Sequence, residues 1–589
     1  MGLPGFFAWL LKQYKESNII IPNLEKQCDI LYLDANCLFH PQCYKVLELC
    51  KSMKDIEKLE KLMFMRIINY IDYLIGYTNP QKEVVISVDG VAPMAKINQQ
   101  RKRRYRSIDD TIIKNKIKEK HDIEIENNIW NNTCITPGTV FMEKLHKEII
   151  QHIEKKNKKG KIIYTYLSYH VPGEGEHKIL KYIKSKTQED EIHVIYGLDA
   201  DLIFLSLASQ KNNIYLLREA AQLSQIHAEN LDDNKGINKR DPILDVAEEL
   251  KYVSIDKTKR CLGEQLELNI QKRTNGNIID SITDHNLIQF SNDFIFICYF
   301  LGNDFLPHLP SIDIKKYGLD MIIECYVDTY LTTKCHIIEK IKPKITINMI
   351  FLQYFLTALA EIENDYFINI IPEMDNYLKR KKCYANDDYS IELWKLENMK
   401  LNKVKDTIQL GSDSPEQWKF RYYEHYFGIA EHQQEHIDEL CYMYLEGIAW
   451  VTKYYFEGCP SWEWQYIFTH TPFLSDIVEY LKKNKKFDIN NIKFNISKPL
   501  DPCVQLLAVL PPGCNKLLPN SYQYLVTSPK SPIIDMFPSK IELDMMNKDM
   551  FWQCVPMIPP LDIKRILKTV NKLVLTESEK IRNIITDNI

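Results

Sequence analysis

The sequence predicts an α/β fold, with a parallel or mixed twisted sheet flanked by helices, followed by a second, mainly helical domain. Short apolar runs rich in β-branched residues have the length of buried strands, and they alternate with tracts of helical period. Two of these runs, 29–33 and 192–198, are followed at once by Asp34 and Asp199. Strands that alternate with helices along the chain are typical of a parallel sheet.

Length and composition limit the classes of protein to which this chain can belong. With 589 residues the chain is too long for one core, so we expect two or three domains. No uncharged apolar run is long enough to span a membrane, and the amino terminus lacks the features of a signal peptide. The fifteen cysteines include no C-x-x-C pair, which favours a reducing compartment and argues against a zinc ribbon. We therefore expect a soluble intracellular protein.

The first half of the chain alternates between the two types of element. Predicted strands are 29–33, 83–88, 161–167 and 192–198. Predicted helices are 4–14, 55–77, 139–155, a tract that begins at 178, and 290–301. The charged tract that continues to Lys120 contains no Pro or Gly after Lys96 and predicts an exposed helix.

Two further segments differ in character. Residues from about 219 to 265 are polar and lack a clean period, so we predict a loop or insertion there. From about 345 to the end the chain is rich in aromatic residues and mostly helical in pattern. This carboxyl-terminal part includes Trp450, Trp462 and Trp464.

Acidic residues follow the ends of several predicted elements. They are Asp34, Asp89, Glu174, Glu176, Asp199, Asp201 and Asp304. If the strands are parallel, these ends meet at one edge of the sheet, where open α/β sheets bind ligands. Each acid taken alone is more simply a solvated loop or helix-capping residue. The recurrence of the pattern favours a common site.

Seven carboxylates at one edge would repel one another. Two of them about 4 Å apart cost on the order of 4 kcal/mol at an effective dielectric of about 20. Such a cluster needs protons or cations to neutralise it. Oxygen ligands without His or Cys favour Mg²⁺, with Mn²⁺ as the alternative. Two such ions form the known clamp for in-line attack on a phosphodiester, and we expect two here.

A basic segment follows Asp89 closely. Lys96–Arg106 carries six cations in eleven residues. For an isolated basic run, a solvated helix face or a localisation signal is the usual explanation. Helical spacing places Lys96, Gln100, Arg103 and Arg104 on one face. That face could present guanidinium donors to a terminal phosphate beside the acids.

Several long motifs resemble those of the Xrn-type 5′→3′ exoribonucleases. These are D-G-V-A-P-x-A-K-x-N-Q-Q-R-x-R-R from Asp89, I-T-P-G-T-x-F-M from Ile135, P-G-E-G-E-H-K-I from Pro172, G-L-D-A-D-L-I from Gly197 and G-N-D-F-L-P-H-L-P from Gly302. The amino-terminal M-G-L-P-x-F-F and the later G-C-P-S-W-E-W fit the same family. The likeness covers nearly the whole chain.

The resemblance implies a PIN or flap-nuclease-like domain over 1–330 and a second conserved region over 345–589 that completes the active-site pocket. It implies that the seven acids are catalytic metal ligands, and that the four residues on the basic face select a 5′-monophosphate. By the same likeness, His40 stacks on the first base, with Trp462 or Trp464 as its partner; the sequence does not choose between them. Aromatic core is the competing explanation for both tryptophans.

The implied activity is removal of single nucleotides from single-stranded RNA that carries a 5′-monophosphate. We expect a monomer, with a cytoplasmic location favoured over a nuclear one. The sequence departs from the family at Cys37, where Gly is usual, and at Met94, where Arg is common. Cys37 could alter the turn that presents Asn36 and His40.

Two alternatives stay open at this point. A flap endonuclease shares the acidic layout, although the N-Q-Q-R and E-G-E-H motifs are Xrn-like and no helix–hairpin–helix DNA clamp is evident. An RNA-binding scaffold without catalysis is the other alternative, and the complete set of acids argues against it. Sensitivity to a chelator separates an enzyme from a scaffold, and RNA against flap DNA separates the two nucleases.

Overall fold

The computed structural model describes residues 5–125, 129–186, 188–197, 199–220, 243–274, 284–340, 344–402, 404–430 and 433–586. The strands are β1 Ile20–Ile21, β2 Ile30–Asp34, β3 Glu83–Ser87, β4 Ile163–Leu167, β5 His193–Tyr196, β6 Ile214–Glu219, β7 Leu250–Ser254, β8 Ile338–Lys340, β9 Thr346–Ile347, β10 Glu542–Asp544 and β11 Val555–Met557.

The helices that position the site lie mostly in the first region. They are α1 Phe6–Gln13, α2 Ala35–Leu49, α3 Ile56–Thr78, α4 Met94–Lys120, α5 Val140–Lys159, α6 Gly175–Ser185, α7 Asp201–Ala208, α8 Ile255–Arg273, α9 Asp284–Cys298 and α10 Gly318–Thr333. The second region contributes α11 Met349–Glu361, α12 Glu363–Asp365, α13 Ile371–Lys379, α14 Asp388–Glu397, α15 Pro415–Phe427, α16 Gln434–Phe456, α17 Leu474–Lys483, α18 Pro502–Val509, α19 Ile563–Val570 and α20 Glu577–Ile581.

The central sheet is mixed, with the strand order β1-β7-β6-β5-β2-β3-β4. The five strands from β6 to β4 are parallel to their neighbours, whereas β7 runs antiparallel to β6 and β1 antiparallel to β7. Leu33 pairs with Tyr196 and Asp34 with Ser87, so neighbouring parallel strands end at the same level. The predicted α/β class, with a mainly helical second region, is confirmed.

Each face of the sheet is covered by its own core. Tyr32, Val85 and Ile195 belong to a large cluster that continues into the helices of the second region. Leu33, Val84 and Val194 point to the opposite face and pack with the helices on that side. The strands are therefore buried on both faces, which explains why they read as continuous apolar runs instead of alternating ones.

The predicted loop over 219–265 is partly wrong. Residues 221–242 lie outside the described residues, but 250–254 form β7 and 255–273 form α8. Ser254 caps this helix by accepting a hydrogen bond from the Lys257 amide, and Leu262, Leu266 and Ile270 form part of its buried face. The many Lys and Glu residues on the solvent face of α8 hid its helical period.

The prediction of an exposed helix after Lys96 is right about the helix and wrong about its exposure. Helix α4 has 27 residues, which corresponds to about 40 Å. Its first half is largely buried, because Met94 and Ile97 pack against α18 and neighbouring segments of the second region. Only the second half is mostly solvent-exposed.

Two further findings concern the whole chain. All fifteen cysteines lie in described segments and are free thiols. Among the helices of the described segments, none combines the length and apolarity needed to cross a bilayer.

Candidate active site

The carboxyl ends of the parallel strands open into a cavity of about 780 Å³. Asp34 ends β2, Asp89 follows β3, and Glu174 lies just before α6. Together with Glu176 and Asp199 these residues line the cavity. The sheet edge predicted from the sequence therefore carries the acids.

Asp201 and Asp304 lie deeper at the same edge. Asp201 is the first residue of α7, and Asp304 lies in the turn after the short 3₁₀ helix Tyr299–Leu301. The ammonium nitrogen of Lys96 lies 2.6 Å from Asp304 Oδ2 and also contacts Glu174 Oε2. The structure thus brings all seven predicted acids into one electrostatic neighbourhood.

Short backbone contacts fix the orientation of Asp89. Its amide donates a hydrogen bond to Asn36 Oδ1 at 3.0 Å, and its Oδ1 accepts one from the Gly175 amide at 2.7 Å. A Cβ at Gly175 would lie 2.8 Å from Asp34 Oδ1. Glycine between Glu174 and Glu176 is therefore required, because any side chain there would displace a carboxylate.

Burial and mutual repulsion raise the pKa of several of these acids. Burial, with Asp89 as the nearest charge, raises the pKa of Asp34 to about 8. Burial together with Asp304 raises the pKa of Asp201 to about 7. The pKa of Asp304 is lowered instead: burial raises it, but the adjacent Lys96 ammonium outweighs that effect. The cluster thus binds protons when no other positive charge compensates it.

The donor set fits a divalent cation. Glu176 Oε2 is buried and accepts no hydrogen bond from any described residue. A buried carboxylate oxygen without a partner is costly, and coordination by a metal removes that cost. Most of the surrounding donors are carboxylate oxygens, as hard cations prefer. The residues that would hold such ions are the seven acids.

A sulfur atom and an imidazole also lie beside the seven acids. Cys37 lies in the first turn of α2, and its thiol donates a hydrogen bond to Asp34 Oδ2 at 2.9 Å. His177 lies beside Glu174 and Glu176. Cys37 does not disturb a turn, because Asn36, Cys37 and His40 all belong to the continuous helix α2.

The residues of the predicted basic face line the same cavity as the acids. Gln100, Arg103 and Arg104 all line it. The Arg104 guanidinium donates to Thr136 Oγ1 at 2.7 Å and to Gln100 Oε1 at 3.5 Å, which fixes its direction. Burial, with Arg103 as the nearest like charge, lowers the pKa of Arg104 to about 9. Two neighbouring guanidinium groups in a concave pocket favour an anion.

Lys96 differs from the other three predicted members of this face. It also lines the cavity, but its ammonium is paired with Glu174 and Asp304. About two helical turns of α4 thus separate a lysine paired with carboxylates from the two arginines that line the same cavity.

His40 also lines the cavity. Burial and the charges of Arg103 and Arg104 lower its pKa to about 4, so its ring is neutral at pH 7. A neutral, partly buried ring beside a phosphate pocket can stack on a base.

The two candidate tryptophans differ in their surroundings. The Trp464 ring stacks on Trp450 at 5.0 Å between centroids, and its Nε1 donates to Glu446. This ring belongs to the core. The backbone carbonyl of Trp462 accepts a hydrogen bond from the Met94 amide, which places Trp462 at the start of α4. Neither residue lines the cavity, and among the described residues the ring of Trp462 has no aromatic partner comparable to Trp450.

Several residues that support the site were not predicted. The Tyr454 hydroxyl donates to Glu174 Oε1 at 2.9 Å from a helix 280 residues further along the chain. The buried Lys178 ammonium donates to the carbonyls of Val88, Ser168 and Val171, which ties together the loops after β3 and β4. Lys178 belongs to the E-G-E-H-K-I motif, so the sequence offered an indication of its role. The sequence around Tyr454 offered no such indication.

A parallel sheet edge crowded with carboxylates and facing a cationic cavity defines a metal-dependent enzyme that acts on phosphate esters. Comparison with known proteins makes this class specific. Residues 1–220 match the family model described as XRN 5'-3' exonuclease N-terminus, and residues 285–389 and 369–589 match the Xrn1 helical domain. The chain belongs to the XRN 5'-3' exonuclease family.

Curated relatives extend over nearly the whole chain. A protein of Candida albicans named 5'-3' exoribonuclease 2 is 28% identical, over 99% of this chain and 74% of its own length. A Drosophila melanogaster protein named 5'-3' exoribonuclease 2 homolog is 29% identical, over 97% of this chain and 71% of its own. Human 5'-3' exoribonuclease 1 is 29% identical over 97% of this chain, which covers 34% of the human protein.

Proposed function

We propose that this protein is a 5′→3′ exoribonuclease that degrades single-stranded RNA with a 5′-monophosphate end and releases mononucleotides. The observation that carries the proposal is the shared cavity, which Arg103 and Arg104 line together with Asp34 and Asp89. The arginines suit a terminal phosphate and the acids suit cations. The family membership and the names of the relatives support the same activity.

The residues that line or adjoin the cavity have different proposed roles. Arg104, oriented by Thr136 and Gln100, holds the terminal phosphate together with Arg103. His40 provides a neutral ring for the first base, and Trp462 is its proposed partner. Asp34, Asp89, Glu174, Glu176, Asp199, Asp201 and Asp304 hold two divalent cations, Mg²⁺ with Mn²⁺ as the alternative. When bound, such ions supply a hydroxide and stabilise the leaving oxygen.

The cavity also accounts for selection of the 5′ end. A triphosphate or cap adds bulk and charge at the position that Arg103 and Arg104 enclose. A duplex keeps its bases stacked on one another, whereas an unpaired base can stack on His40. We propose that the protein acts as a monomer and that it acts in the cytoplasm.

The test uses single-stranded RNA labelled at its 3′ end, carrying a 5′-monophosphate, a 5′-triphosphate or a 5′-hydroxyl. Each is incubated with the full chain in Mg²⁺ and again with EDTA. We expect mononucleotide release from the monophosphate substrate alone, and none with EDTA. Internal cuts or a preference for flap DNA would point to the endonuclease alternative, and binding without turnover to a scaffold.

A further inference from the structure

Three potential metal ligands lie unusually close together at the start of α6. Glu174, Glu176 and His177 each offer one ligand atom, and these atoms all lie within 4.8 Å of one another. Within the described part of the chain, no other group of three His, Cys, Asp or Glu side chains meets this spacing. A single ion bound by three ligands about 2.0–2.2 Å away requires a cluster of this size.

The two carboxylates have capacity left for such an ion. Glu176 is 93% buried, and its Oε2 has no hydrogen-bond partner among the described residues. Glu174 accepts hydrogen bonds from Tyr454 and Lys96, one on each oxygen. A carboxylate has about four lone-pair positions, so each oxygen of Glu174 can still ligate.

The imidazole of His177 is held in place beside them. Its ring lies 3.9 Å from the centroid of Tyr454 and meets Tyr455 edge to face at 5.9 Å. These two ring contacts fix the plane of the imidazole and leave its nitrogens at the ring edge. An imidazole ring can ligate a metal ion through either of its two nitrogens.

We propose that His177 is a nitrogen ligand of one metal ion, together with Glu174 and Glu176, and that this position binds Mn²⁺ in preference to Mg²⁺. The inference rests on the proposed metal-dependent function and adds a ligand and a metal preference to it. Imidazole suits transition metals, whereas Mg²⁺ demands oxygen ligands and keeps several waters. The acids on β2 and β3 offer oxygen donors for the other ion.

The experiment detects the nitrogen directly. The full chain is loaded with one and with two equivalents of Mn²⁺, without RNA, and examined by electron spin-echo envelope modulation. We expect a ¹⁴N coupling, which changes to the ¹⁵N pattern when only the histidines are labelled with ¹⁵N. Selective labelling separates imidazole from the nearby Lys96 nitrogen. A wild-type spectrum without a histidine coupling overturns the inference and leaves His177 as a packing partner of Tyr454.

Variants assign the coupling to one histidine. His177→Gln should abolish it and weaken Mn²⁺ binding by about 10- to 100-fold, with a smaller loss for Mg²⁺. His40→Gln is the matched control, because His40 lines the same cavity outside the cluster, and it should retain the coupling. A coupling that persists in His177→Gln refutes the assignment; should that variant fail to fold, His177→Asn replaces it.

The result is separable from that of the RNA assay. Cleavage of 5′-monophosphate RNA by a protein without a histidine coupling would remove this inference and leave the proposed function intact. A histidine coupling in a protein that does not cleave RNA would support this inference and remove the proposed exoribonuclease function.

Discussion

Loss of the two arginines at the cavity wall should erase the preference for a 5′-monophosphate. A hydrogen bond to a charged group contributes about 1.5–3 kcal/mol, and each 1.4 kcal/mol is a factor of ten. Arg104 would then contribute about 1.5–3 kcal/mol, and the two arginines together up to about 6 kcal/mol. Arg103→Ala/Arg104→Ala should lower the ratio of kcat/KM for monophosphate over hydroxyl RNA by more than about 10-fold and by up to about 10⁴-fold.

The structure assigns unequal shares to the two residues. Arg104 is fixed by Thr136 and Gln100 in a partly buried position, whereas Arg103 is exposed and its interaction is screened by solvent. Arg104→Ala alone should lower the ratio by about 10- to 100-fold, and Arg103→Ala by less. Thr136→Val removes one hydrogen bond that orients Arg104 and should cause a small loss in the same direction.

The assay uses 3′-labelled RNAs that differ only in the 5′ group, under single-turnover conditions. Lys116→Ala is the control, because Lys116 is an exposed cation on the same helix and does not line the cavity. It should keep the wild-type ratio. A double variant that is folded, binds RNA and keeps the wild-type ratio would refute the assignment of the phosphate pocket.

Three further predictions test other parts of the molecule. Asp201→Asn should abolish cleavage while RNA binding stays measurable by gel shift; retained turnover would exclude Asp201 as an essential ligand. Trp464→Ala should lower the free energy of unfolding by about 3–5 kcal/mol, because its ring stacks on Trp450. Trp462→Ala should mainly weaken RNA binding. Equal effects of the two variants on the free energy of unfolding would contradict this distinction. Burial lowers the pKa of His193 from 6.5 to about 4, so between these pH values the unfolded chain binds more protons than the folded one. The free energy of unfolding should therefore fall by up to about 3 kcal/mol as the pH drops from 6.5 to 4. In urea titrations, His193→Asn should show a weaker dependence of this free energy on pH, and an unchanged dependence would argue against His193 as the group responsible.

The acids of the site could be predicted because their positions follow from local sequence. Asp34 and Asp89 come directly after apolar runs, and parallel strands bring such positions to one sheet edge. The register of Leu33 with Tyr196 shows that the strands do end together. The prediction of these acids needed only one repeated pattern, an apolar run followed by an acid. It did not depend on how far apart the runs lie in the chain.

The supporting contacts could not be predicted, since they depend on the packing of distant segments. Nothing near Tyr454 indicates that its hydroxyl reaches Glu174, and the choice between Trp462 and Trp464 depends on which ring meets Trp450. The proximity of His177 to two glutamates was missed for a different reason. Its neighbours in E-G-E-H were assigned to a loop, whereas α6 begins at Gly175 and its first turn holds them together.

Helix α4 shows why the site needs both regions of the chain. Its first turn sends Lys96 among the carboxylates, while Arg106, further along, donates to the carbonyls of Cys554 and Phe551. The Met94 amide is bound by the Trp462 carbonyl at the helix start. The second region therefore sets the position of α4, and through it the distance between the arginines and the acids. A contact far from the sheet edge in sequence thus helps to place the proposed phosphate and metal sites within one cavity.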